Sequence, residues 1–406
     1  MSEQTSSKLI SYAVFLATLG VLGISIVSVI FPALIISSTY EFSTDLEPFE
    51  SNSWLPLIVF STLSLLIIGF LFKNKKLPSP FFTPIQFILN FEISKKITII
   101  TAIIILVTYA GFSFNELFLD EKEQWPDYYI LEESLEIWPS TDHWSVYIKE
   151  QNTRYVRMML LEFSQDFLQN IKFLPFAGSI LTVVFTGLIT TQIAKKRFAG
   201  VISMLILLQS TTFTDFDTIA VYENFWVLFY LISLYLIQKR WWYGSSVSFL
   251  LSIFTKAFIV TYSWMHIFFI YRAEIPRKTK YALLGTYGVV FGLVYLIFES
   301  GRSIIYDDIV RFDSAAFFDG FTGWGNNMQL EPLAILGILP LVVGLFIKSM
   351  RGVKQADSIL ILIMGTILAA PLISFVTDFY FILPYRYIPF IVAMAIGIGV
   401  FLSKEN

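Results

Sequence analysis

The chain has 406 residues, 56% hydrophobic and only 15% charged, with a formal net charge of −3. A typical soluble domain carries about 25% charged residues, so this composition excludes an ordinary soluble enzyme and points to an all-α polytopic membrane protein. Cysteine is absent, which removes disulfides, thiol catalysis and cysteine metal sites, and two histidines, His143 and His266, are too few for a histidine-rich metal centre.

Apolar runs long enough to cross a hydrocarbon core of roughly 30 Å recur along the chain. They predict about 12 transmembrane helices, near 9–36, 54–72, 97–114, 173–193, 198–213, 219–237, 243–256, 258–271, 281–298, 333–348, 358–376 and 385–402. The opening "MSEQTSSK" has no basic n-region and no small-residue cleavage site, so the first run is expected to be a retained span. The runs 243–256 and 258–271 are short and share the interruption "FTKAF", as in a broken or re-entrant pair. Two domains are expected: 1–96, a pair of helices with a basic loop, and 97–406, a transmembrane core with outer loops 115–172 and 299–332.

Loop charge sorts by side. Lys73, Lys75, Lys76, Lys95, Lys96, Lys195, Lys196 and Arg197 fall in one set of connections, while the acids of 41–50, 115–150, 215–217 and 299–331 fall in the alternate set. Lysine and arginine bias sets orientation. The basic set and both termini are therefore expected in the cytoplasm of a multi-pass cell-membrane protein, with the acidic loops extracytoplasmic. The cytoplasmic loops are short and hold no phosphate-cradling G-x-x-x-x-G-K-[ST] loop, and nothing in the sequence points to a nucleic-acid partner.

The segment 115–150 holds ten acidic residues and two lysines and begins "NELFLDEKEQWPDYY" directly after an apolar run. Such a cluster is either solvated surface or a site built on the bilayer face. In 153–172, Val156, Met159, Leu160, Phe163, Phe167, Leu168 and Ile171 recur at helical spacing, with Arg154, Arg157, Glu162 and Asp166 between them. This predicts an amphipathic helix in the outer interface. Lys256, Glu223 and Arg386 lie within or at the ends of spans, where a charge costs roughly 2.5–3.5 kcal/mol and is usually paired or functional. Cations at such positions suit a lipid-linked phosphate, and a carboxylate beside them suits the proton of an attacking hydroxyl. On the plainer reading, Lys256 pairs with Glu223 or snorkels outward, Arg386 anchors an interface, and Asp217 and Tyr222 orient a helix start.

The ordered stretches "NELFLDEKEQWPDYY", "RYVRMMLLEFS", "NIKFLPF", "KKRFAG", "LQSTTFTDFDTIAVYENFW", "SIFTKAF" and "YRYIPF" resemble membrane glycosyltransferases of the GT-C superfamily. The likeness is greatest to the protein O-mannosyltransferase-like branch found in archaea, and it covers about 97–400. The resemblance implies sugar transfer from a polyprenyl-phosphate donor to a protein or glycan acceptor at the outer face. It implies a catalytic carboxylate early in the first outer loop, among Glu116, Asp120, Glu121 and Asp127, with the adjacent Asp120 and Glu121 favoured. Substrate-binding roles would fall on Lys256 and Arg386 for the lipid phosphate, with Arg154 and Arg157 beside them, and on Asp217 and Tyr222 lining the site. A divalent cation is compatible with the acidic loop, although no ligand spacing calls for one. Two other readings stay open: a secondary transporter or flippase, which the broken pair at 243–271 would suit, and a catalytically silent scaffold of the same fold.

Overall fold

A computed structural model describes residues 3–31, 33–35, 53–125, 127–140, 155–301, 312–376 and 383–403. The described residues form helices joined by short turns, and no strand occurs among them. In chain order the helices are α1 (Glu3–Ile30), α2 (Trp54–Lys73), α3 (Ser79–Asn90), α4 (Lys95–Ser113), α5 (Glu121–Gln124), α6 (Tyr128–Ser140), α7 (Tyr155–Leu168), α8 (Phe173–Ala194) and α9 (Arg197–Leu207). They continue with α10 (Thr211–Asp215), α11 (Phe225–Gln238), α12 (Trp242–Thr255), α13 (Ser263–Arg272), α14 (Arg277–Gly301), α15 (Ser314–Gln329), α16 (Pro332–Met350), α17 (Gln355–Val376) and α18 (Ile388–Phe401).

Every one of the twelve apolar runs is at least partly helical, but among the described residues seven helices are long and apolar enough to cross a membrane: Ser7–Ile30, Trp54–Lys73, Lys95–Phe118, Phe173–Ala194, Pro332–Met350, Gln355–Val376 and Pro384–Phe401. The other runs break up for local reasons. The run 198–213 is interrupted between Leu207, where α9 ends, and Thr211, where α10 begins, and 219–237 becomes helical at Phe225. The pair 243–271 is a 14-residue helix, an extended Lys256 (φ −151°, ψ 112°), a 3₁₀ turn over Ala257–Tyr262 and a 10-residue helix. Helices also form within the connections: α3 in the basic loop, α5 and α6 in 115–150, and α15 in 299–332.

Contacts divide the chain into two units that interleave in sequence. The first comprises 1–99, 190–212 and 309–406; the second comprises 100–189 and 213–308. The core expected over 97–406 is thus shared between them.

In the first unit α17 is apolar on every side and almost wholly buried, as a helix at the centre of a bundle must be. It packs against α1, α15, α16 and α18. Small polar groups cross-link these helices. Ser11 donates to the Asp357 carboxylate at 2.9 Å and meets Ser349 at 2.9 Å, and Ser28 donates to the Phe321 carbonyl at 3.0 Å. Close helix approach depends on glycine here. A Cβ on Gly320 would lie 2.5 Å from the Pro371 backbone, whereas one on Gly20 would meet nothing within 4 Å. By contrast, α2 buries only Ile58 and presents Phe60, Leu63 and Phe70 outward, as a helix against lipid would.

Overpacking a tight contact costs typically 1–3 kcal/mol. Gly320→Ala is therefore expected to lower the thermal unfolding midpoint in detergent by several degrees, and Gly20→Ala to leave it unchanged; equal midpoints would refute the packing described.

Candidate functional site

The second unit is organised by an irregular segment, 216–224, that lies buried between α10 and α11. Non-helical backbone away from water must have its N–H and C=O groups met by other parts of the protein. Glu121 meets two of them: its carboxylate accepts from the N–H groups of Ala220 at 2.6 Å and Val221 at 3.2 Å. Arg157 meets a carbonyl of the same stretch, donating from Nη2 to Val221 O at 2.7 Å. Ser179 donates to the Asp217 carbonyl at 2.8 Å, and Asn224 to the Phe216 carbonyl at 3.3 Å.

The loop that leaves α4 is pinned onto this segment. After Ser113 the chain tightens into a 3₁₀ turn, Phe114–Phe118, whose outgoing carbonyls are taken by Lys172 (to Glu116 O, 2.9 Å) and Asn170 (to Leu117 O, 2.8 Å). Asp120 then caps α5, accepting from the Lys122 N–H at 2.9 Å, and stays exposed. Its neighbour Glu121 turns inward and is buried. Thr218 donates to Glu116 at 3.5 Å, and the Tyr222 hydroxyl donates to Asp127 at 2.8 Å, with Asp127 exposed. The Trp125 ring stands edge-on to Tyr222 at 5.1 Å and against Phe216 at 5.4 Å, closing the apolar side of that contact.

The sequence-predicted residues Glu116, Asp120, Glu121, Asp127, Arg157, Asp217 and Tyr222 thus come together in one unit. Arg154 and His143 lie outside the described residues. Arg386 belongs to the first unit, where its Nε donates to the Tyr385 hydroxyl at 3.0 Å. Lys256 sits at the break after α12 in the second unit, half-buried, with its Nζ 5.9 Å from the centre of the Trp226 ring.

Two expectations are corrected. Glu223 pairs with Arg157 (Nε to Oε2, 2.8 Å), not with Lys256, and both partners are buried. In α7, Arg157, expected among the polar positions, faces inward with Val156, Met158, Leu161 and Ser164, while Met159, Phe163 and Phe167 of the apolar stripe face outward. The reason is electrostatic. A buried carboxylate needs a cation far more than an aromatic ring needs a core, and the outward apolar row is what an interfacial helix would offer to lipid. Sequence reasoning missed Lys172, which lies 3.9 Å from Glu121; its one signal is a lone lysine just ahead of the α8 span.

The cluster has more buried acid than buried base, and its titration reflects that. Burial pushes the Glu121 carboxyl up, against the pull of the Ala220 N–H, Lys172, the Val221 N–H and Arg157. Burial likewise pushes Lys172 down, against Glu121 and Glu116. Asp217 is fully buried, and although Ser113 donates to its Oδ2 at 2.8 Å, its Oδ1 has no hydrogen-bond donor. Its pKa is raised to about 7, chiefly by burial and further by Glu116 and Asp215, with Tyr109 and Ser113 opposing. Among the described residues no three His, Asp or Glu side chains gather so as to hold a metal ion.

Comparison of the chain with protein-family models, curated proteins and solved structures returns no match.

Because the folded pKa of Asp217 lies above the value of 3.8 for a free side chain, the unfolded chain releases this proton first as pH rises. Its contribution to stability is present at low pH and is lost between about pH 4 and about pH 7. Asp217→Asn, which removes the charge, should raise the unfolding midpoint at pH 8, with the gain shrinking as pH falls towards 4. A gain that is independent of pH would contradict the buried, proton-linked carboxyl.

Proposed function

We propose that the chain is a membrane glycosyltransferase of the GT-C type, a mannosyltransferase-like hexosyltransferase. It would move a sugar from polyprenyl phosphate to a hydroxyl of a protein or glycan acceptor at the extracytoplasmic face. The observation that supports this reading most is the pinning of the acidic loop at the end of the Lys95–Phe118 span. Acids that were only solvated surface would have no reason to be held by Ala220, Val221, Tyr222 and Lys172.

Geometry also divides the labour among the acids. Glu121 is occupied by backbone N–H groups, so it positions the loop. Asp127 is both exposed and oriented by the Tyr222 hydroxyl, which makes it the best-placed base, with Asp120 the other exposed carboxylate. In the reaction, the acceptor hydroxyl gives its proton to the carboxylate and its oxygen bonds the anomeric carbon. The bond from that carbon to the phosphate oxygen breaks, polyprenyl phosphate leaves as the anion, and the configuration inverts. Arg157 is engaged by Glu223 and the Val221 carbonyl, and Lys256, half-buried at the break after α12, is assigned to the donor phosphate. A transporter is the second reading, favoured by the break in the helix at Lys256, because broken helices form substrate sites in transporters.

Purified protein in liposomes is expected to transfer mannose from polyprenyl-phosphate mannose. A positioned base contributes about 10²–10⁴-fold, so Asp127→Asn should lower kcat on that scale while Lys256→Ala raises KM for the donor. Full activity in both Asp127→Asn and Asp120→Asn would overturn the assignment of the base. Absence of transfer from any polyprenyl-phosphate sugar, together with Lys256-dependent solute uptake, would favour the transporter.

A further inference from the structure

The first unit holds a second polar feature with no part in sugar transfer. At the turn between α8 and α9, Thr191, Lys195, Lys196 and Arg197 line a cleft of about 340 Å³ together with Glu92, which follows α3. The cleft is charged in a particular way. Glu92 accepts from the Arg197 N–H at 3.0 Å, so one carboxylate sits among the three cations of the cleft and leaves it net positive. Lys196 is buried and donates to the Ile88 and Leu89 carbonyls at 3.2 and 2.8 Å, which staples the end of α3 to this turn. Lys195, held at φ 53°, and Arg197 remain exposed at the rim. The same turn is the start of α9, whose N-cap residue Lys196 makes no side-chain cap, so the positive end of the helix dipole adds to the charge.

Helix α3 supplies an independent observation. Its 12 residues bury none of their side chains, yet Phe81, Phe87 and Ile88 are large, apolar and exposed. No acidic residue occurs from Trp54 to Phe91, and Lys73, Lys75 and Lys76 precede the helix while Lys95 and Lys96 follow it. A short helix with exposed aromatics, no acid of its own and flanks holding five lysines against the single Glu92 is built to lie in a lipid interface, with its cations at headgroup level.

We propose that the cleft at Lys195 and Arg197 binds the phosphate headgroup of an anionic phospholipid, with α3 lying in the same leaflet beside it. Charge complementarity selects an anion, and the apolar helix joined to the cleft through Lys196 selects a lipid over a free ion.

The test uses the full chain in detergent, offered phosphatidylglycerol and phosphatidylcholine together, with retained lipid read by native mass spectrometry. Phosphatidylglycerol should be retained in preference. Each surface cation near an anionic headgroup is worth about fivefold in binding, so Lys195→Ala and Arg197→Ala should each cut the preference by about that factor. Lys195→Arg should keep it, which separates loss of charge from loss of fold. Excess inorganic phosphate should leave the lipid bound. Equal retention of the two lipids, or an undiminished preference in the double alanine variant, would overturn the proposal. Release of the lipid by inorganic phosphate would overturn it too, because the cleft would then be a site for a free anion.

Discussion

The second unit depends on how the backbone of 216–224 is satisfied. Buried non-helical backbone is stable only where other protein groups replace the missing water. Here Glu121 supplies the acceptor to the Ala220 and Val221 N–H groups, and Arg157 supplies the donor to the Val221 carbonyl. One peptide region is thus clamped between a carboxylate from the loop and a guanidinium from α7. The clamp fixes three things at once: the path of the loop leaving α4, the inward face of α7, and the place of Tyr222, which in turn orients Asp127.

The same arrangement explains the charge balance. Arg157 and Glu223 are both buried, and a buried ion pair is poor evidence of stability, since an apolar pair of similar volume is often as stable. Its value here is positional: Glu223 draws Arg157 inward, and only from there can Arg157 reach the Val221 carbonyl. Lys172 offsets part of the remaining negative charge from 3.9 Å and also holds the Glu116 carbonyl. Asp217 sits in the acidic remainder, where Glu116 and Asp215 add to the effect of its burial in lifting its pKa.

Length and hydropathy made the seven long helices legible, because a span needs about 20 apolar residues and the sequence shows them directly. They did not reveal where shorter runs stop. The extended conformation of Lys256 breaks 243–271, and the irregular 216–224, held by the distant Glu121 and Arg157, delays the start of α11 to Phe225. The acidic loop was legible as a cluster, but not residue by residue. Asp120 and Glu121 are neighbours of equal charge, yet one caps a short helix in the open and the other is buried against Ala220. Arg157 read as the polar face of an amphipathic helix because its partner, Glu223, lies 66 positions away. Periodicity reports which residues share a face; it carries no information on which buried charge waits opposite.

The clamp can be observed directly by hydrogen–deuterium exchange on the intact protein in nanodiscs, comparing wild type with Glu121→Ala. Removing the carboxylate should leave α11 and α12 as protected as before and speed exchange at Ala220 and Val221 by at least about tenfold, the factor that corresponds to roughly 1.4 kcal/mol of lost protection. Unchanged exchange at those two amides would mean that 216–224 is held by something other than Glu121, and the account of how this loop is placed would fail.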